Sequence, residues 1–435
     1  PPPSTQSLHR RQRQMCIRDR VTPSGDGSYS VSGGKYYIGN ANQARMVSTF
    51  GRMADTGEYL FFVADSRKDG YRLVRNVVNS QSYVAEFELQ DYRITDNEIL
   101  VRGDEAFYTA LNTVNVGKFN LGWASIGMCT HAFYEAITHA ANRKLFHHSV
   151  TDFPHIRQFF VDAWTRLTAM RMFAQRASDY MRAACEEDRR YLLYNPMVKM
   201  KVTTQGEEVI NLLWDVIAAK GFEKDTYFEM AARDIRALPK LEGTVHVNMA
   251  LVVKFMRNYF FAPQHYEEVP QRLDAADDAF LFDQGPAHGL SKIRFHDYNA
   301  VYDSFDFPNL AIFKQQVALF KEALVAAPAT EDQAKDIDFL LTVGELFTLV
   351  VYGQLILENA RICAIPDDVL DQVFDFMVRD FSRFALQFHN KPSSTEAQME
   401  YARRMMRKPV VDEARYQKVW KEHVYAMKDQ YQMNP

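Results

Sequence analysis

Cysteine is scarce in this chain, with four residues in 435, at Cys16, Cys129, Cys185 and Cys363. They are too few and too scattered for a disulfide framework or a zinc site, and they fit a reducing compartment. Long apolar runs are scarce too. None reaches about 18 residues without a charge, so the sequence predicts no transmembrane helix. Positive charge is not in excess: the net charge of −4 argues against a nucleic-acid binder, which needs a basic patch or stripe. No GxGxxG, P-loop, GxSxG or CxxC occurs, which removes the common dinucleotide, NTPase, hydrolase and redox-dithiol readings. What remains is an ordinary globular composition, 47% hydrophobic and 24% charged, with length for two or three domains.

Residues 1–20 stand apart. They carry five arginines and one acid, have no apolar period and lack the apolar core of a secretory signal. RQRQMCIRDR resembles translated sequencing adapter, so this stretch is expected to be a disordered artefact. Without it 46 basic residues face 54 acidic ones, a balance near −8.

From 21 to about 105 the chain reads as β structure. Turn clusters such as Ser32-Gly33-Gly34 and Asp69-Gly70 separate short runs rich in Tyr, Val and Phe, and Phe87-Glu88-Leu89-Gln90 alternates as a half-buried strand does. From 106 to 260 the period is helical. Gly122 to Asn142 is rich in small residues that permit close helix approach. Ile156 to Met181 is apolar at three- and four-residue steps behind Pro154, and Thr204-Gln205-Gly206-Glu207 has the form of a capping box. Residues 261–300 are polar and read as a linker. Residues 301–435 are helical again, with a buried helix around Leu340–Leu357 and a charged amphipathic final helix over 401–432. That last helix is either a packed surface helix or a contact with a membrane surface or second copy.

Three stretches carry candidate chemistry. Between two helical runs lies Arg233-Asp234-Ile235-Arg236-Ala237-Leu238-Pro239-Lys240-Leu241-Glu242-Gly243-Thr244. Pro239 ends the first run, Gly243 permits a close backbone pass, and Thr244 can cap the second. Glu242 thus sits at a junction with apolar residues on both sides, either a solvated carboxylate beside a turn or a general base. Lys35-Tyr36-Tyr37-Ile38-Gly39-Asn40-Ala41 is a plain strand or an aromatic strand against a planar cofactor. Asn142-Arg143-Lys144-Leu145-Phe146 ends a helix, and Arg143 either complements its dipole or takes a phosphate. His147-His148 has no carboxylate or cysteine at metal-ligand spacing, and no metal is expected.

In this order these pieces resemble the acyl-CoA dehydrogenase family, over roughly 21–260. The specific part is Leu241-Glu242-Gly243-Thr244 after Arg233-Asp234, and the wording is similar to long bacterial members with a C-terminal helical extension. The resemblance implies an α+β fold with a partial middle β-barrel or sandwich, a four-helix-type bundle and an extra helical domain, the family's N-terminal helical domain being missing. It implies FAD as cofactor and dehydrogenation of fatty acyl-CoA thioesters to trans-2-enoyl-CoA in fatty acid β-oxidation, with Glu242 removing the α-proton. An electron-transferring flavoprotein is the implied acceptor and a homodimer the implied assembly. Tyr37, Ile38, Gly39, Arg143, Phe146, Asp215 and Thr244 match flavin-contacting positions; Lys118, Leu241 and Gly243 match substrate-side positions. Gly39 stands where many members have Ser or Thr, and Asp215 and Ala218-Ala219 replace the usual Gln and paired glycines, which puts those contacts in doubt. An acyl-CoA oxidase using O2 and a non-catalytic, flavin-bearing interaction protein stay open as alternatives. A cytoplasmic site is expected for a bacterial protein and a mitochondrial one for a eukaryotic protein. The fragment as given is expected to be poorly active.

Overall fold

The computed structural model describes residues 19–79, 83–272, 279–282, 284–287 and 289–431. Residues 1–18 of the expected artefact lie outside that set. The chain divides into two compact units at Asn115/Val116, inside the long helix α1 (Asp104–Asn142).

The first unit is one seven-stranded sheet. Its strands are β1 (Asp19–Pro23), β2 (Ser28–Gly39), β3 (Met46–Met53), β4 (Tyr59–Asp65), β5 (Tyr71–Asn76), β6 (Val84–Thr95) and β7 (Ile99–Arg102), ordered β5-β6-β2-β1-β3-β4-β7. Among the described residues only the β1–β3 pair of this sheet is parallel. β6 and β4 are not neighbours in that order, yet the Asp65 amide of β4 donates to the Tyr92 hydroxyl of β6 at 2.8 Å. The sheet therefore coils around a core of Val21, Val31, Leu60, Phe62, Phe87, Leu89, Tyr92 and Ile94, as a partial barrel does. The period-2 pattern of Phe87 and Leu89 supplies part of that core.

Two expectations need correction here. Ser32-Gly33-Gly34 is not a turn but the middle of β2. Gly33 serves packing, since a Cβ there would lie 2.2 Å from Oδ1 of Asp19. Asp19 itself opens β1, fully buried and 3.0 Å from the Lys35 ammonium, so the folded strand begins inside the stretch set aside as 1–20. A buried carboxylate needs such a partner.

Among the described residues the regular elements of the second unit are helices, apart from a short hairpin, β8 (Lys144–Leu145) and β9 (His148–Ser149), and an isolated Pro263–Phe295 bridge. After the hairpin come α2 (Pro154–Arg182), α3 (Tyr191–Met197), a π-helical turn Val198–Val202, α4 (Thr203–Ile217), α5 (Tyr227–Asp234), α6 (Val245–Val252) and α7 (Met256–Phe261). Then follow α8 (Asn299–Tyr302), α9 (Pro308–Ala326), α10 (Ile337–Cys363), α11 (Asp367–His389), α12 (Glu396–Met405) and α13 (Glu413–Val419). One apolar core runs through the unit from Phe119 to Val424. The boundaries expected at 260 and 300 therefore do not separate domains. Val269, Ile293, Phe295 and Tyr298 of the supposed linker are buried in that core, because aromatic and branched residues are interleaved with its polar ones.

α1 and α4 lie side by side in the same direction, with the Ser125 hydroxyl donating to the Val202 carbonyl at 3.4 Å and Cys129 Sγ to the Gly206 carbonyl at 3.5 Å. The small residues of α1 allow this approach. α10 is long and apolar enough to cross a membrane by composition, but 83% of its most apolar window is buried in the unit, which makes it a core helix.

The expected capping box at Thr204 does not form. The backbone is helical without a break from Tyr191, and the Thr204 hydroxyl donates back to the Met200 carbonyl at 2.7 Å. The expected final helix over 401–432 is interrupted. α12 stops at Met405, Pro409 lies in the non-helical link, and Asp412 caps α13 by accepting from the Arg415 amide at 3.0 Å.

Ala218, where the sequence lacks an expected glycine, ends α4 at φ 59° and ψ −143°. That region strongly favours glycine and costs other residues about 1–3 kcal/mol. Ala218→Gly should raise stability by about 1 kcal/mol after its larger unfolded-state entropy, read as a higher denaturant midpoint at unchanged slope.

Candidate active site

α5 ends at Asp234, and Leu238-Pro239-Lys240 makes one 3-10 turn. Leu241 is then extended, Glu242 sits at φ 48° and Gly243 at φ 83°. Two successive left-handed residues reverse the chain sharply, and the first is a glutamate, a conformation that has to be held by its surroundings. Thr244 caps α6, its hydroxyl oxygen accepting from the Val247 amide at 3.4 Å. Asn248 of α6 donates from Nδ2 to the carbonyls of Gly243 and Thr244, both at 3.0 Å.

The Glu242 side chain lies against α1 where that helix has Gly117. A Cβ built on Gly117 would be 3.4 Å from both Cδ and Oε1 of the carboxyl group. The carboxyl thus rests on bare helix backbone, with Lys118 as the next residue. Among the described residues neither the Glu242 amide nor its carboxylate makes a hydrogen bond, so both remain available.

Two lysines share this pocket of charge. Lys118 is half-buried, and Lys199 of the π-helical turn is fully buried. Lys199 Nζ donates to the Pro239 carbonyl at 2.5 Å and also to the Gly243 carbonyl. Burial pushes the Glu242 carboxyl above the ordinary carboxylate range, and the opposing pull of Lys118 and Lys199 does not cancel it. Burial also lowers Lys118 against the attraction of Glu242. Lys199 is lowered to about 8 by burial first and by the Lys118 charge second.

The structure brings Lys118, Glu242, Gly243 and Thr244 to one place, with Leu241 half-buried beside them. Arg143 and Phe146 are elsewhere: Arg143 is 25 residues beyond Lys118, about 37 Å away along α1 at 1.5 Å per residue. Asp215 is exposed near the far end of α4, and both Lys220 and Arg143 bear electrostatically on His139 there. Phe146 stands at the tip of the β8–β9 hairpin, 84% exposed, with Phe146 and His147 at φ 51° and 68° as a two-residue hairpin turn requires. Arg143 through Phe146 therefore lead into a hairpin, not only out of a helix.

Tyr37, Ile38 and Gly39 belong to the first unit. Tyr37, itself 45% exposed, is a bulge in β2 at φ 68°, and the space beside Gly39 is open, with no atom within 4 Å of a built Cβ. An exposed aromatic next to bare backbone fits a planar ring system lying on the strand. In the second unit Thr244 keeps its hydroxyl proton to donate, since its oxygen is the acceptor in the cap.

Lys199 is not among the residues that the sequence motifs single out. Its signal was present: Leu192 to Val202 is an apolar helical run broken only by Asn195, Pro196, Lys199 and Lys201, and a lysine on such a face needs a partner.

Residues 105–256 match the family model described as acyl-CoA dehydrogenase, C-terminal domain. Among curated relatives, a 3-(aryl)acrylate reductase of Clostridium sporogenes is 22% identical over 52% of this chain and 60% of its own length. A probable short/branched chain specific acyl-CoA dehydrogenase of Dictyostelium discoideum is 20% identical over 55% of this chain and 59% of its own. The chain thus spans about three-fifths of these relatives. The crystal structure of an acyl-CoA dehydrogenase complexed with FAD from Bacillus anthracis superposes with a TM-score of 0.69 at 13% identity, covering 95% of this chain and 74% of that one. This is the acyl-CoA dehydrogenase fold.

Proposed function

We propose that this chain, with the acyl-CoA dehydrogenase fold and that family's C-terminal domain over 105–256, takes part in FAD-dependent α,β-dehydrogenation of an acyl-CoA thioester, with Glu242 as the base. The observation that carries this reading is Glu242 itself: a half-buried carboxylate with a raised pKa, resting on Gly117 and free of hydrogen bonds among the described residues. A base whose pKa rises toward the working pH gains proton-transfer driving force.

The division of labour follows. In the first unit, Tyr37, Ile38 and Gly39 would back a FAD ring; in the second, Thr244 would donate to a FAD diphosphate. Bound FAD would supply the acceptor for the hydride leaving Cβ. Glu242 takes the proton from Cα, and its free backbone amide can donate to the thioester oxygen as negative charge develops there. Lys118 stands beside that centre, its ammonium favoured by Glu242 and opposed by its burial. Arg143, Phe146 and Asp215, remote from the base along the helices, would serve the flavin of a second copy in a homodimer. The similar proteins bear the names of both dehydrogenases and reductases, and reversing the same proton and hydride movements would saturate an enoyl thioester. Fatty acyl chains as substrate and an electron-transferring flavoprotein as acceptor complete the proposal.

The test is anaerobic titration of the FAD-loaded chain with palmitoyl-CoA and with shorter acyl-CoAs. Bleaching of the flavin supports the reading, and an unchanged spectrum with every acyl-CoA rejects it. Peroxide formed in air without a flavoprotein acceptor would assign an oxidase instead. Gly117→Val offers a geometric check. Its added methyls would displace the carboxyl from the helix surface, and bleaching should slow at least about tenfold, on the scale by which small misplacements act.

A further inference from the structure

The left-handed backbone at Glu242 needs a physical cause of its own. A glutamate at φ 48° followed by Gly243 at φ 83° is strained, and nothing in the local sequence favours it. The restraint comes from another helix. Lys199 is fully buried, and its ammonium bonds the carbonyl of Pro239 three residues before Glu242 and that of Gly243 one residue after it. Asn248 Nδ2 donates to the same Gly243 carbonyl at 3.0 Å. The lysine projects from the π-helical turn Val198–Val202. Such turns cost hydrogen-bond geometry and recur where a side chain must be re-aimed.

We propose that Lys199 is the positioning residue of this site, a buried ammonium that clamps the loop on both sides of Glu242 and sets the charge against which that carboxylate works. This rests on the reading of Glu242 as the base. A cation held by two carbonyls is not a nucleophile or an acid for substrate; it acts through the backbone it fixes and the field it exerts. The charged groups that face it are Lys118 on α1, Lys240 on the 3-10 turn and Glu242. With a pKa near 8 it is positively charged where a raised glutamate titrates, so its loss should raise Glu242 further. By reciprocity, loss of the Glu242 anion should lower Lys199.

The experiment uses the full chain with 13Cε-lysine and 13Cδ-glutamate labels, followed by NMR across pH. In Glu242→Gln the Lys199 midpoint should fall from about 8 by roughly one unit. In Lys199→Met the Glu242 midpoint should rise by roughly one unit, while Lys199→Arg keeps it near the wild-type value. Amide hydrogen exchange over 241–248 should quicken at least about tenfold in Lys199→Met, since the loop loses its anchor. A Lys199 midpoint that does not move in Glu242→Gln overturns the proposal, whether or not Lys199→Met folds. So does wild-type exchange in a folded Lys199→Met. These readouts need no turnover. Bleaching retained by Glu242→Gln would reject the base and leave the clamp standing, and an unmoved Lys199 would do the reverse.

Discussion

Glu242→Gln should slow flavin reduction by acyl-CoA on the order of 10²–10⁴-fold, the range that a positioned general base contributes. The variant keeps the shape of the side chain, so the amide still rests on Gly117, and the loop keeps its bonds from Lys199 and Asn248. What it loses is the ability to accept the α-proton. The pH dependence separates this from a packing defect. In the proposed role Glu242 acts only when ionised, and burial raises its pKa above the ordinary value of 4.5. The wild-type rate should therefore fall as pH drops through that raised value, and the residual rate of the variant should show no such limb. Stability moves the other way. A carboxyl whose folded pKa lies above its unfolded one weakens the fold at any pH where it is ionised, so the glutamine protein should melt no lower than wild type at neutral pH. Stopped-flow reduction under anaerobic conditions and a melting curve on the same sample measure both. A variant that bleaches at the wild-type rate removes Glu242 from the mechanism.

Much of this site was legible because its determinants are local. Pro239, Gly243 and Thr244 each act within a few residues of themselves, as the 3-10 turn, the positive-φ residue and the cap of α6, whereas the left-handed backbone of Glu242 itself draws on the distant Lys199. The alternation of Phe87 and Leu89, Pro154 opening α2 and the apolar run of α10 likewise read directly as elements. What escaped depends on distant partners. Gly33 looked like a turn because Asp19, which needs its missing side chain, lies fourteen residues away. Thr204 looked like a cap because nothing local says that the helix already runs from Tyr191. Lys199 carries its meaning forty residues from the Pro239 carbonyl it binds. Residues 261–300 read as a linker for the same reason: Phe295 and Tyr298 reach a core that polar neighbours in sequence conceal. Propensity describes the chain at short range, and tertiary contacts decide the rest.

The second large effect is expected from Asp380→Asn, which should destabilise the helical unit by about 3–5 kcal/mol. Arg166 on α2 donates from both terminal nitrogens to the Asp380 carboxylate on α11, at 2.8 and 2.9 Å, and both side chains are buried. Burial alone would raise Asp380, but the charge and hydrogen bonds of Arg166, with Lys201 and Arg383 behind it, hold that carboxyl well below the usual range. Its contribution is thus complete above the unfolded value near 3.9 and is lost only as pH falls through the much lower folded value. Neutralising it leaves Arg166 and Lys201 facing each other in the core. Glu208, 2.9 Å from Arg166 and partly exposed, compensates in part and sets the loss toward the lower end of the range. The exposed pair Arg403–Glu400 is the control, and breaking it should change stability by less than about 1 kcal/mol. Replacing both partners, as Arg166→Met with Asp380→Leu, should cost less than Asp380→Asn alone, because the buried guanidinium is removed with its partner and only Lys201, 3.9 Å from Asp380, loses a counter-charge in the core. Denaturant unfolding of the three variants decides the matter. If the single and double changes cost the same, the pair matters through its packing and not through its charge, and the bond between α2 and α11 is apolar in origin.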